Sequence, residues 1–139
     1  TTLGAVVAAT RSVPVVAVTG DPVGYGFAAS LARPGSNVTG LSILSPELAA
    51  KWIELIKEAL PALTHLAVLA DNSPPCQVER VEAIGRSIGV AVTQIRATTI
   101  PEIESAFHRA AGIKAQAIVV PSSAFFGSQA PRIVALAGS

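Results

Sequence analysis

The chain contains no methionine, a single cysteine, and few charged or aromatic residues. With Cys76 alone, a disulfide framework and a cysteine metal site are both excluded. Charged residues make up 14% of the sequence and the net charge is +1, against ~25% charged in ordinary soluble domains. No electrostatic footprint for nucleic acid or an anionic membrane surface exists. No apolar run reaches the roughly 18 residues of a membrane span without a Pro, Gly or charge. No basic leader with a cleavage site opens the chain. The chain starts without Met and inside a helical pattern, Leu3–Ala9, so it reads as a piece of a longer protein. The missing leader then says nothing about compartment. Paired carboxylates, a nucleophile elbow and metal-ligand spacing are missing too, so the pattern supports no enzyme, no metal and no cofactor.

What is present is half hydrophobic, mostly Ala, Val, Leu and Ile. That composition suits a parallel sheet covered by helices on both faces. Val13–Thr19 is β-branched and reads as a strand, with Pro14 near its start. Val23–Ala32 is expected as a short helix with Phe27, Ala28 and Leu31 on one stripe, stopped by Pro34-Gly35. A polar loop runs from Arg33 to Gly40, and Leu41–Leu44 reads as a short extended segment. Ser45-Pro46-Glu47 starts a helix that runs to about Leu60, with Leu48, Trp52, Leu55, Ile56 and Ala59 expected inward.

From there strands and helices alternate. The strands are Leu66–Ala70, Val90–Ile95 and Ala117–Val120. The first helix between them is Gln77–Ile88, with Val78, Val81, Ile84 and Ile88 inward and Gly89 as its left-handed stop. The second carries Ile103, Ala106, Phe107 and Ala110 behind a capping box at Thr99 and Glu102. Pro131–Ala137 opens another helix. The expected fold is α/β, a three-layer αβα arrangement around a mostly parallel sheet. Composition shifts at about residue 40, which marks a boundary or hinge between a single βα unit and the regular run after it.

Ligands of open α/β sheets bind beyond the carboxyl ends of the strands. Four such ends carry polar loops: Gly20-Asp21, Asp71-Asn72-Ser73, Ala97-Thr98-Thr99 and Pro121-Ser122-Ser123. Their hydroxyls, amides and carboxylates suit a small polar ligand, particularly a carboxylate at a helix N-terminus. The same residue types also serve as caps and turns in any α/β domain, and both readings stand at this point. Gly24-Tyr25-Gly26-Phe27-Ala28-Ala29 fits the dinucleotide pattern G-x-G-x-x-A. A nucleotide-cofactor-binding α/β enzyme domain is therefore the alternative. Against it, no acidic residue ends a second strand about 20 residues on, and Pro22 stands at the first tight turn. His65 and His108 are expected at half-buried or surface positions, and Trp52 in the core.

Asp21-Pro22-Val23-Gly24, then Ser30-Leu31-Ala32-Arg33-Pro34-Gly35-Ser36-Asn37-Val38-Thr39-Gly40, resembles the signature of the ABC-transporter substrate-binding protein family that includes tryptophan-binding lipoproteins. Glu47–Lys51, Glu54–Glu58, Pro61–Thr64 and Leu66–Leu69 continue the likeness. The resemblance implies the Rossmann-like lobes of a type I periplasmic binding protein, hinged and closing on an amino acid or similar small molecule. It implies no catalysis, delivery to a membrane permease, and a periplasmic or lipid-anchored extracytoplasmic location. Aligned this way, residues 1–40 are the end of the first lobe and the hinge crossover, and 41–139 an incomplete second lobe. Asp21 and Pro22 would face the cleft from the first lobe, Asn37 and Thr39 would sit at the hinge, and Asp71, Asn72, Ser73, Ser122 and Ser123 would face the cleft from the second. Relatives often carry Asn-Pro in the first of these second-lobe loops and an acidic residue after the proline of the last; here Asp71-Asn72-Ser73-Pro74 and Ser122-Ser123-Ala124 stand instead. A piece with one cleft wall is expected to bind weakly or undetectably, because affinity comes largely from enclosure. An open sheet edge at Val13–Thr19 would also allow two copies to pair.

Overall fold

The computed structural model describes residues 2–43, 45–73 and 75–138. The chain divides into two compact units, 1–47 and 48–139.

In the first unit, helix α1 (Thr2–Ala9) precedes strand β1 (Val15–Thr19), which pairs in parallel with β2 (Val38–Ser42). The register sets Val15 against Val38 and Thr19 against Ser42. The expected helix over 23–32 does not form. Asp21 Oδ1 accepts the Gly24 amide at 2.8 Å and opens a single turn. Gly26, at φ +74°, then ends it. The Phe27 amide reaches back to the Pro22 carbonyl (2.8 Å) and the Gly26 amide to that of Val23 (2.9 Å), the two bonds of a Schellman stop. An apolar stripe cannot propagate a helix past a left-handed glycine. The polar loop is also shorter than expected. It ends at Asn37, and Thr39 and Gly40 belong to β2. Gly40 is required there: at φ +147°, a Cβ would stand 1.7 Å from the Ala17 carbonyl oxygen.

The second unit is a three-stranded parallel sheet in the order β4-β3-β5, with β3 His65–Ala70, β4 Ala91–Arg96 and β5 Ala117–Val119. Helix α2 (Ser45–Ala59) leads into it. Helices α3 (Cys76–Ser87) and α4 (Ile100–Gly112) connect the strands, and α5 (Ala124–Ser128) and α6 (Ala130–Ala137) complete the chain order. Strand β3 alternates between two cores. Leu66, Val68 and Ala70 pack with Ala49 and Ile53 of α2 and Val78 and Val81 of α3. Ala67 and Leu69 pack with Ile103, Ala106 and Ala110 of α4 and Phe126 of α5. This is the expected three-layer α/β architecture. Each fully buried Leu or Ile contributes about 1.5–3 kcal/mol of transfer free energy.

Helix α2 is rotated from the expected phase. Ala49 and Ile53 are buried, Trp52 and Ile56 pack partly against them, and Leu48, Leu55 and Ala59 are exposed. The apolar stripe of the helix is wide, and only the flank with Ala49 and Ile53 meets the core of the sheet. The Ser45-Pro46-Glu47 start falls on side chains outside the described residues. In α3, Val78 and Val81 are buried as expected, while Ile88 is exposed because the helix stops at Ser87. Gly89 supplies the left-handed residue at φ +71°. Helix α4 carries its capping box: the Glu102 carboxylate accepts the Thr99 amide at 3.1 Å, and the Thr98 amide and hydroxyl at 2.6 and 2.8 Å. Those bonds, the Thr98 amide first, hold the Glu102 pKa below the usual glutamate value.

A strand-end crevice and its relatives

The chain leaves β3 for β4 on one side of the sheet and returns from β4 to β5 on the other. Helix α3 joins the α2 side of the sheet and α5 the α4 side. The loops after β3 and β5 therefore diverge over neighbouring strand ends, and that divergence opens a crevice at the switch point. Leu69, Asp71, Ser73, Gln77, Ser122 and Ser123 are among the residues lining it.

The sequence expectation for these loops divides. Asp71, Ser73, Ser122 and Ser123 come together on one rim. Asp71 Oδ1 accepts the Ser73 amide at 2.8 Å, which fixes the turn; among the described residues no hydrogen bond to Oδ2 occurs. Ser123 Oγ accepts the Phe126 amide at 3.1 Å and caps α5. Asn72 is used elsewhere: its Oδ1 accepts from Arg96 Nη2 at 2.8 Å. The Thr98-Thr99 loop is taken up by Glu102 and does not line the crevice.

Gln77 was legible only as the first residue of a helix. It is the one polar side chain buried among the described residues, 4% exposed. Its Oε1 accepts the Ser122 amide at 3.1 Å and its Nε2 donates to the Ser122 carbonyl at 3.0 Å. A glutamine in the first turn after a strand-end loop is a faint signal for such a bridge. The opposite end of the sheet has its own glutamine: Gln116 Oε1 accepts from the Thr64 and His65 amides at 2.7 and 3.1 Å.

The first unit holds the other expected residues. Asp21 is committed to its turn through Gly24, where a Cβ would stand 2.1 Å from Asp21 Oδ2. Asn37 Nδ2 donates to the Val13 carbonyl at 2.7 Å and the Thr10 carbonyl at 3.3 Å, tying the entries of β1 and β2 together. Pro22 and Thr39 line a shallow groove with Thr19 and Ser42. The Gly24–Ala29 pattern opens no helix, so no helix N-terminus stands behind it to meet a pyrophosphate. His65 Nε2 lies 2.9 Å from Thr93 Oγ1, and His108 is exposed. No group of three metal-ligating side chains occurs among the described residues. No described helix is long and apolar enough to cross a membrane.

This architecture is shared. The tyrosine-binding protein of Clostridioides difficile is 30% identical over 129 residues, covering 88% of this chain and 36% of its own length. The structure of an ABC domain from Streptococcus pneumonia in complex with L-Trp superimposes with a TM-score of 0.81 at 31% identity, over 94% of this chain and 46% of that one. A ligand-free, open substrate binding protein with adhesive properties from Clostridium difficile gives 0.64 at 27% identity, over 96% of this chain and 45% of that one. The chain thus spans less than half the length of these relatives. The model of the ABC transporter substrate binding protein family matches residues 1–139, and the chain belongs to that family.

Proposed function

We propose that this chain is part of the solute-binding component of an ABC transporter and holds an amino acid without chemical change. The observation that carries the reading is the crevice at the β3/β5 switch point in a chain matched by the family over its whole length. The crevice chemistry suits a zwitterion. Asp71 Oδ2 can meet an ammonium, the Ser73 and Ser122 hydroxyls can meet either end, and the start of α3 favours a carboxylate. Two relatives carry aromatic amino acids in their names, tyrosine in one and L-Trp in the other, so these are the first ligands to try.

Asn37 and Thr39 at a hinge, and Asp21 and Pro22 on a first wall facing the cleft, complete the proposal. So do delivery to a membrane permease and a place outside the cytoplasmic membrane. Pairing of two copies through the β1 edge is a separate proposal, and a strictly monomeric species in sedimentation at high concentration sinks it.

A thermal-shift screen tests the ligand class. The expected result is a rise in melting temperature with L-tyrosine or L-tryptophan at high concentration, and none with NAD, FMN or ATP. The reverse pattern would overturn the reading in favour of a nucleotide-binding domain.

A further inference from the structure

We infer that Gln77 is the positioning residue of the strand-end crevice: it clamps the Pro121–Ser123 turn to the first turn of α3 and so fixes where Ser122 stands. The inference rests on the reading of this crevice as the ligand wall. The two loops that form the rim run to opposite faces of the sheet, and beyond the β3–β5 ladder no backbone hydrogen bond joins them among the described residues. Gln77 bridges them. It occupies both the amide and the carbonyl of Ser122, as a neighbouring strand would. The demand for one donor and one acceptor fixes which way the amide points.

A leucine of similar size would fill the space but leave the Ser122 amide and carbonyl without their partner. A buried glutamine supplies a single register for the loop instead. Asparagine is a methylene shorter, and glutamate lacks the donor that the Ser122 carbonyl needs. With both Ser122 backbone groups engaged, its hydroxyl makes no further hydrogen bond among the described residues and remains for a ligand.

The test uses this chain, wild type and the variants Gln77→Leu and Gln77→Glu, with L-tryptophan as probe. In Gln77→Leu the Ser122 amide is expected to exchange with solvent about tenfold faster or more, and L-tryptophan affinity to fall about tenfold. Exchange in β3 is expected to stay unchanged. Gln77→Glu should show the same loss at neutral pH and recover as the solution is acidified. Once protonated, its carboxyl O–H donates to the Ser122 carbonyl while the other oxygen accepts from the Ser122 amide. Asp71 is the titratable side chain lining the crevice among the described residues, and it is common to wild type and variant. Recovery beyond the wild-type pH profile therefore belongs to residue 77. Wild-type affinity in either variant at neutral pH, or no recovery of Gln77→Glu on acidification, overturns the inference. If Gln77→Leu does not fold, the acid recovery of Gln77→Glu carries the test. If wild type shows no response to any amino acid, binding by this chain on its own is ruled out, and the Ser122 amide exchange, which needs no ligand, still tests the clamp: unchanged exchange in Gln77→Leu overturns the inference.

Discussion

The two parallel ladders of this chain are alike in sequence and opposite in what covers them. Strand β1 reads Val-Val-Ala-Val-Thr and β3 reads His-Leu-Ala-Val-Leu-Ala. In β3 every residue from Leu66 to Ala70 is buried. In the first sheet Val16, Val18 and Leu41 share one face and are 80%, 71% and 69% exposed. One difference lies in the connection that leaves each strand. After β3 the chain makes a 12-residue helix that folds back over the sheet. After β1 the Asp21 turn and the left-handed Gly26 end the helix within one turn, and residues 27–37 cover no face with a helix. The α3 connection, with α2 on the same face and α4 and α5 on the other, buries β3; the connection of similar length after β1 supplies no helix to its sheet.

The comparison can be broken by substitution, and the largest effect is expected in the covered sheet. Leu69→Ala removes a side chain fully enclosed between β3 and α4, and should cost about 3–5 kcal/mol in urea unfolding. Gly40→Ala places a Cβ against the Ala17 carbonyl at a φ that side chains rarely adopt. It should abolish amide protection across β1 and β2, at about 3 kcal/mol or more, and leave β3–β5 protected. Gln116→Ala removes one acceptor shared by the Thr64 and His65 amides. Because these groups are near solvent, the loss should be about 0.5–1.5 kcal/mol. Acidification should loosen the start of α4. The Glu102 pKa is depressed in the folded chain, so its contribution is fully present above the ordinary glutamate pKa. It is lost as pH falls through the depressed value. Glu102→Gln should remove that pH dependence of the Thr98 and Thr99 amide exchange. The smallest effect should be Val16→Thr on the open face, within about 0.5 kcal/mol. A large loss there would show that the face is covered in solution.

The second unit was legible in the sequence because its strands and helices alternate between clear punctuation: Gly89 after α3, the Thr99–Glu102 box before α4. Strand ends can be placed from that alternation, so Asp71, Ser73, Ser122 and Ser123 could be set on one rim. Less could be read where two local signals compete. The stripe through Phe27, Ala28 and Leu31 is helical, but the Schellman stop at Gly26 outweighs it. Helix α2 has one wide apolar stripe, and only contact with β3 chooses the flank with Ala49 and Ile53 over the one with Leu48 and Leu55. Asn72 looked like a rim residue; its amide is drawn off by Arg96, 24 positions away. Gln77 was invisible as a bridge because its partner lies 45 residues on.

The most direct measurement is an amide-resolved NMR titration of this chain with L-tryptophan. The account predicts weak, fast-exchanging shifts at Ser73 and at Ser122–Ser123, with the amides of Thr64, His65 and Gln116 at the opposite end of the sheet unmoved. Shifts confined to that opposite end, or a response to NAD at Gly24–Ala29 with none to amino acids, would contradict it.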